Sequence, residues 1–411
     1  MKKSGGPHRV PPEPRTLVVP SVDSHRDGDM EQPYDVIYTD PPWSYSVAAR
    51  KGAIKQYDKS YRYLTMSWKE LESMVLPLTD EGVAFVWTTM PCLPYQLDVI
   101  RAWGLTNVRI FRIWIKRTRI QGLLFKGVGF YTASNAELLL IASKKAKDVT
   151  RNAPQSRVFN HIRLEHSCKP PSMREEVVGF SPDSTRLEMF ARTATDARFD
   201  YHGDQKTLLN TTASTSEQKR VLKSNAVSHV CTNAEKHRQP LKRKHSVAFV
   251  AERRLDCYHT ARIVLVDIDL RSVQQVDLRP CFERNVFVVM RLDPNALRES
   301  IACFDRWNTN YKTVMFVVID PEDTTFFQLW GVATTSSTRI KECKVRHVSS
   351  VIERREPDNN CLTLVQKRIE TVFGTECSKV VVSSEHCDRT GWLAIGIGSG
   401  KRRFDSRQRL Q

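Results

Sequence analysis

Four consecutive residues, Asp40, Pro41, Pro42 and Trp43, directly follow the short hydrophobic strand pattern YDVIYT. Two prolines fix φ and offer carbonyls without a competing N–H, and Pro41 keeps Asp40 out of the helical region. The result is a rigid row that consists of a carboxylate, backbone acceptors and an aromatic face. An exocyclic amine on a flat heterocycle fits this row, because Asp40 and the Pro41 carbonyl can accept its two hydrogens while the ring stacks on Trp43.

The lone pair of such an amine is delocalised into the ring and is a weak nucleophile. Holding both hydrogens pulls the nitrogen towards tetrahedral geometry and frees the lone pair for attack, which is an orientation effect. The alternative is a turn stiffened by prolines, in which Asp40 only caps a helix.

The elements that must position these residues alternate from residue 34 to about residue 204. Short apolar runs predict strands at YDVIYT, GVAFVWTT, VRIFRIWI, AELLLIAS and RLEMFAR. Two capping boxes, Ser67 with Glu70 and Ser172 with Glu175, predict helix starts between them. This alternation predicts an α/β fold with a largely parallel sheet, in which ligands bind at the carboxyl ends of the strands.

The composition narrows the class of protein. The 411 residues suffice for two or three domains, and the net charge of +17 favours a polyanionic partner such as nucleic acid. The opening MKKSGGPHRVPPEPR has no apolar core, so we expect neither a signal peptide nor a membrane anchor there. The ten cysteines show no CxxC spacing, which argues against a zinc site and for a reducing compartment.

The order of elements is repeated in the second half of the chain. Trp103 lies 12 positions before Ile115 and Trp307 lies 12 before Ile319, each pair joining a helix end to the next strand. We therefore predict five segments. They are a flexible arm (1–30), a catalytic domain (31–205), a basic linker (206–255), a degenerate second copy (256–397) and a basic tail (398–411).

The two copies differ where the chemistry is expected. Asp267 follows the strand of the second copy but lies 20 positions before Phe287, whereas Asp40 lies 45 positions before Phe85. The second copy therefore lacks the segment after the acid, and we expect it to keep the fold without the site. Within the linker, the basic cluster of residues 242–244 is a nuclear address, a phosphate contact or part of a solvated linker.

Several ordered motifs resemble one family. DPPW is followed by YRYLTMSWKEL, by AFVWTTMPCLPYQLDVIRAWG and by WIKRTRIQGLLFKGVGFYTASNAELLLIASK with its W-x-K, G-x-G-[FY]-[WY] and N-x-E elements. EHSCKPPSMREEV then resembles an HSxKP loop, and RLEMFARTATDARFDYHGDQ an LELFAR segment. Together they resemble the 70-kDa-subunit family of N6-adenosine methyltransferases, over residues 34–205.

The resemblance implies a Rossmann-like fold that binds S-adenosylmethionine, in the permuted order where the catalytic motif precedes the cofactor-binding end. With the repeated order of elements, we expect two tandem copies of this fold, the second of them degenerate. The residues implied to hold the adenine amine are Asp40, Pro41, Pro42 and Trp43, with Asp40 also near the methyl donor. Those implied to bind the cofactor are Lys169 at its carboxylate and Arg192, Asp204 and Gln205 at its ribose, while Asn135 and Glu137 form the pocket floor. The family usually has asparagine where Asp204 stands and tryptophan where His202 stands, which leaves the strength of cofactor binding open.

The expected reaction is direct in-line methyl transfer to adenine N6 in RNA or DNA, with no covalent intermediate and no metal. The adenine must be single-stranded or flipped out of a duplex to reach the cofactor. Between the motif and the helix at Ser67, the basic and aromatic residues expected to contact nucleic acid are Arg50, Lys51, Lys55, Lys59, Tyr61 and Arg62.

We expect the second copy to pair with the first as an inactive pseudo-subunit that extends the basic surface. Two alternatives stay open, namely a nucleic-acid-binding adaptor without turnover and an enzyme that methylates cytosine N4. The expected location is nuclear or cytoplasmic, with the basic linker favouring the nucleus.

Overall fold

The computed structural model describes residues 33–43, 66–120, 122–127, 129, 131–145, 153–164, 168–191, 196–202, 253–254, 260–335, 348–354, 360–384 and 389–396. The predicted arm, the basic segment before Ser67, most of the linker and the tail lie outside these ranges. No helix within them is long and apolar enough to cross a bilayer.

The first half of the chain forms one mixed sheet of seven strands. Its elements are β1 (Tyr34–Thr39), α1 (Trp68–Ser73), β2 (Leu78–Thr88), α2 (Leu93–Ala102), β3 (Asn107–Arg117), β4 (Ala136–Ser143), β5 (Val158–Ile162), α3 (Ser172–Phe180), β6 (Arg186–Met189) and β7 (Asp200–His202). The strand order is β5-β3-β4-β2-β1-β6-β7. Only β4 runs antiparallel to its neighbours, so the largely parallel sheet expected from the sequence is present.

The second half forms another sheet of seven strands. Its elements are β8 (Arg253–Arg254), β9 (Ala261–Asp267), α4 (Leu270–Gln275), β10 (Val276–Asp277), β11 (Phe282–Leu292), α5 (Leu297–Arg306), β12 (Asn310–Ile319), β13 (Phe327–Thr334), β14 (Val351–Glu353), α6 (Cys361–Phe373), β15 (Lys379–Ser383) and β16 (Leu393–Gly396). The sheet order is β14-β12-β13-β11-β9-β15-β16, with β13 antiparallel to both neighbours. The short strand β8, placed in the linker by the sequence, pairs with β10.

One of the two predicted capping boxes is present. The Ser67 side chain accepts from the Glu70 backbone N–H, and the Glu70 carboxylate accepts from the Ser67 N–H, so α1 begins as expected. The capping box predicted at Ser172 is wrong, because α3 already includes Ser172. The N-cap is Pro171, whose side chain has no hydrogen-bond acceptor. Glu175 binds the Arg198 guanidinium instead.

The same helix ending occurs in both halves. Trp103, after α2, is followed by Gly104 with φ of +80°, and Trp307, after α5, is followed by Asn308 with φ of +56°. Both indoles donate Nε1–H to a backbone carbonyl, that of Leu71 from Trp103 and that of Val276 from Trp307. Glycine and asparagine are the residues that adopt this left-handed conformation most readily, which explains their place after each tryptophan.

The two halves share one hydrophobic interior. Buried side chains from both sheets belong to one shared hydrophobic cluster, beside two further clusters of buried residues. Across it, the Tyr311 hydroxyl donates to the Met90 carbonyl at 2.9 Å, and Arg298 on α5 pairs with Asp98 on α2 at 3.2 Å. The two halves of the chain are therefore packed against each other.

Candidate functional site

Strand direction brings the predicted site residues to one edge of the first sheet. Strands β1, β2 and β3 are parallel, so their carboxyl ends lie together, and antiparallel β4 starts at that same edge. Asp40 follows β1, Lys116 lies near the end of β3, and Glu137 lies near the start of β4. Lys169 reaches this edge from the connection between β5 and α3. Ligands bind at such an edge in open α/β sheets.

Four side chains of alternating charge form a chain of ion pairs at this edge. Lys169 Nζ lies 3.0 Å from Asp40 Oδ2 and 3.1 Å from Glu137 Oε2. Glu137 Oε1 in turn lies 2.5 Å from Lys116 Nζ. The order Asp40, Lys169, Glu137, Lys116 balances two negative charges with two positive ones, which is the arrangement that buried charges require.

Burial and pairing together set the protonation states of this ion chain. Burial by itself would raise the pKa of Glu137, but the Lys116 and Lys169 ammonium groups outweigh it and lower this pKa from its ordinary 4.5 to about 2. Burial would likewise lower the pKa of Lys169, but Asp40 and Glu137 outweigh it and raise the pKa above its ordinary value. Both groups are therefore charged throughout the neutral pH range.

The ammonium groups of Lys169 and Lys116 each lie over an aromatic ring. Lys169 Nζ lies 5.4 Å from the centroid of the Trp87 ring, and Lys116 Nζ lies 5.1 Å from that of Trp114. A cation over a ring face is attracted by its quadrupole, so these rings help to fix the ammonium groups. The Asp40 side chain, by contrast, is 26% exposed and faces the edge where a ligand would arrive.

Trp43 is the site residue whose position departs most from expectation. Its ring stacks on Trp68 at 5.6 Å, and the residue is only 4% exposed. Its indole N–H donates to the Trp87 carbonyl at 3.0 Å, and its backbone N–H donates to the Pro41 carbonyl at 2.8 Å. In this structure the Trp43 ring is buried and anchors the turn, and the stacking of a base on it stays a prediction.

The backbone carbonyls of the two prolines each accept one hydrogen bond within the protein. The Pro42 carbonyl accepts from the Met66 N–H at 3.0 Å, and the Pro41 carbonyl accepts from Trp43. Each carbonyl oxygen has two lone pairs, so Pro41 keeps the capacity for a second bond. The Pro42 carbonyl therefore holds the returning chain, and the binding of an amine by Asp40 and the Pro41 carbonyl stays a prediction.

Asn135 connects the floor of the site to the second half of the protein. Its side-chain oxygen accepts from the Ser350 N–H at 3.0 Å and from the Ser349 hydroxyl at 3.1 Å, and its amide donates to the Phe125 carbonyl. Gly129 lies in the loop just before it, where an added Cβ would lie 1.9 Å from the Thr132 carbonyl oxygen. The loop that leads into Glu137 is thus closely packed and fixed from both sides.

The structure brings together Asp40, Pro41, Lys169 and Glu137, with Asn135 directly preceding β4. The other predicted site residues lie outside the described residues, namely Arg192, Asp204, Gln205, Arg50, Lys51, Lys55, Lys59, Tyr61 and Arg62. Lys116 was not assigned a role from the sequence, although it is the lysine of the W-x-K motif. Within the described ranges, no group of three or more His, Cys, Asp or Glu side chains is placed to hold a metal ion.

Comparison with known proteins gives the family of the first half. Residues 34–205 match the MT-A70 family model. This part of the chain belongs to the MT-A70 family. Proteins of this family are methyltransferases that use S-adenosylmethionine as methyl donor, so residues 34–205 are a methyltransferase domain.

Three relatives are similar to the MT-A70 domain. The Type II methyltransferase M.MunI of a Mycoplasma species is 29% identical over 181 residues, which cover 39% of this chain and 72% of the relative. A probable N(6)-adenosine-methyltransferase MT-A70-like of Oryza sativa subsp. japonica is 27% identical, and an N(6)-adenosine-methyltransferase MT-A70-like protein of Drosophila melanogaster is 25% identical. Each of these two alignments covers 39% of this chain but only 21% and 24% of the respective relative.

The residues of the MT-A70 domain fit its cofactor. The partly exposed Asp40 carboxylate can face the cofactor's cationic groups, and the Lys169 ammonium group can face its carboxylate. Because Lys169 already pairs with two carboxylates, binding the cofactor carboxylate requires it to share or release one of them. When bound, the cofactor supplies an electrophilic methyl group on a sulfonium.

The paired state of Glu137 gives a measurable pH dependence of stability. The pKa of Glu137 is lowered in the folded protein. Its contribution to the free energy of unfolding is therefore present above about pH 4.5 and is lost as the pH falls towards about 2. We expect the destabilisation by Glu137→Gln, measured by urea unfolding, to shrink by roughly 2 kcal/mol between about pH 7 and about pH 3. The exposed pair of Glu81 with Lys145 supplies the control, since Glu81→Gln should show little change. A destabilisation by Glu137→Gln that is independent of pH would contradict the ion chain.

Proposed function

We propose that this protein transfers a methyl group from S-adenosylmethionine to N6 of adenine in nucleic acid. The observation that carries the proposal is the partly exposed Asp40 carboxylate, which stands beside the Pro41 carbonyl at the ligand-binding edge of the sheet. These two acceptors hold the hydrogens of the adenine amine. The N6 lone pair attacks the methyl carbon in line, the carbon–sulfur bond breaks, and one N6 proton passes to solvent as the neutral product forms.

Lys169 has a positioning role in this proposal. It holds the Asp40 carboxylate on Oδ2, which fixes the direction of the remaining acceptor positions. Glu137 and Lys116 hold Lys169 in turn. Of the residues outside the described ranges, Arg192, Asp204 and Gln205 are proposed at the cofactor ribose.

Nucleic acid is the proposed macromolecular substrate, as RNA or as DNA. The net charge of +17 favours a polyanion, and an N6 amine can reach a sulfonium methyl only when the adenine is unpaired or flipped. The basic and aromatic segment between Trp43 and Ser67 and the tail after residue 397 are proposed to contact phosphates and bases.

The second half is proposed to be a degenerate copy of the first that serves as its pseudo-subunit. The two sheets have corresponding strand orders, with one antiparallel strand at the matching place in each. The contacts between the halves are also reciprocal. Ala133, three residues before β4, exchanges backbone bonds with Val348 and Ser350 just before β14.

The reverse contact uses the matching positions. Thr324 lies three residues before β13, and its carbonyl accepts from the N–H groups of Arg157 and Val158 at the start of β5. A surface that meets its own counterpart in this way is typical of a two-fold interface. The reciprocal contacts thus support an internal pseudodimer.

The proposed inactivity of the second copy has a physical basis at Asp267. This residue ends β9, as Asp40 follows β1, and its Oδ1 lies 2.5 Å from Arg291 Nε. Arg291 stands on β11, the strand that corresponds to β2. Both carboxylates pair with a cation, but the Asp267 side chain is 16% exposed against 26% for Asp40, so it is less accessible to an amine.

One experiment tests the proposed function directly. The protein is incubated with S-adenosylmethionine and separate RNA and DNA oligonucleotides, and the methylated nucleoside is identified by mass spectrometry. N6-methyladenine in either nucleic acid supports the proposal, whereas N4-methylcytosine as the product would overturn the choice of base. Titration with labelled cofactor distinguishes the adaptor alternative, because an adaptor without turnover should show no cofactor affinity.

A further inference from the structure

Three of the six large apolar residues that are strongly exposed within the described ranges lie on β5 or on the hairpin that follows the neighbouring strand β3. They are Ile120 and Leu123, which are 78% and 59% exposed, and Ile162, which is 40% exposed. Single exposed aliphatic residues need no explanation, but a group at one place marks an interaction surface. We call Ile120 and Leu123 the apolar tip.

The apolar tip is held by a hairpin that extends β3. The Thr118 N–H donates to the Leu123 carbonyl at 2.8 Å, and the Phe125 N–H donates to the Lys116 carbonyl at 2.8 Å. Arg117 forms a bridge with Leu124 on one side and pairs with Ile162 of β5 on the other. The tip is thus a projection with ordered hydrogen bonds at its base, so its aliphatic side chains are presented in a fixed place.

Cationic side chains surround the apolar tip. Arg119 and Lys126, both exposed, belong to the hairpin itself. Arg163, next to Ile162, lies over the Phe125 ring at 4.6 Å. Apolar residues within a basic border suit a ligand that combines phosphates with flat bases better than they suit an acidic or apolar protein surface.

The hairpin also starts within the candidate site. Lys116, at its base, pairs with Glu137, and Ile120 follows four residues later. The apolar tip therefore projects from the same sheet edge as Asp40.

We propose that the apolar tip is a wedge that enters the base stack of paired nucleic acid beside the target adenine. The inference rests on the proposed function and adds the class of substrate, a base-paired strand. Apolar side chains inserted between base steps unstack them, which lowers the cost of flipping the neighbouring nucleotide into the site. The basic border holds the backbone while this happens.

The test compares the double variant Ile120→Ser/Leu123→Ser with the full-length wild-type protein. Both are assayed on one oligonucleotide with a single adenine, either unpaired or annealed to its complement. We expect kcat/KM on the paired adenine to fall about tenfold or more and that on the unpaired adenine to change little. The matched control is Val75→Ser, because Val75 is 88% exposed and precedes β2 at the opposite edge of the sheet.

A second measurement does not depend on turnover. With 2-aminopurine placed next to the target position of the duplex, the wild-type protein and the Val75→Ser control should raise its fluorescence as the base unstacks. The double variant should not. Equal losses on both substrates, no loss on either, or a wild-type protein that leaves the paired adenine unmethylated would each overturn the wedge. If the wild-type protein methylates neither substrate, the proposed function itself fails.

Discussion

Replacing Asp40 by alanine is expected to reduce methyl transfer by about a thousandfold or more while the protein remains folded. The carboxylate is the charged member of the acceptor pair that orients the amine, and no other carboxylate in the ion chain has the same exposure at the sheet edge. Folding should persist because Lys169 keeps Glu137 as a partner. Incorporation of labelled methyl groups measures the loss, and thermal unfolding verifies the fold.

The second sheet supplies a matched control for this variant. Asp267 occupies the corresponding strand end, and Asp267→Ala removes the same carboxylate without touching the first sheet. Its methyl transfer should equal that of the wild-type protein. Full activity in Asp40→Ala would refute the assignment of the site, and an equal loss in Asp267→Ala would show that the second copy takes part in the chemistry.

A chain that ends after residue 205 is expected to be insoluble or to self-associate, and to lose activity on long nucleic acids. One hydrophobic cluster is shared between the halves, so removing the second half exposes apolar surface on α2 and around Met90 that is now buried. It also removes Ser349 and Ser350 and leaves the buried Asn135 oxygen without these donors. Size-exclusion chromatography and methylation assays measure both effects.

Cleavage of the folded chain shows whether the interface alone, without the covalent linker, keeps the two halves associated and active. A protease site introduced between residues 206 and 250 allows the halves to be cut after folding. They should then co-elute and retain activity, because the hydrogen bonds at Ala133, Ser350 and Thr324 do not depend on the linker. A fragment of residues 1–205 that is soluble, monomeric and as active as the whole chain would contradict the proposed pseudodimer.

Local patterns were sufficient to predict much of the first half from the sequence. Alternating apolar runs predicted strands β1 to β4 and β6, because these strands are buried on both faces and have nearly continuous hydrophobic sequences. The Ser67 capping box predicted the start of α1. The Ser172 box failed because the pattern alone does not show whether a serine precedes a helix or lies within it.

The sequence by itself determined that a carboxylate and a proline carbonyl follow β1 as neighbouring acceptors, since adjacent residues and proline geometry fix their order locally. Only the tertiary structure decided which side chains meet it. Lys116, Glu137 and Lys169 converge because β3 and β4 are antiparallel neighbours and the connection after β5 returns to the same sheet edge. The stacking of Trp43 on Trp68 was likewise decided only by the tertiary structure. Burial depends on packing between distant segments, and the spacing of residues along the chain does not show it.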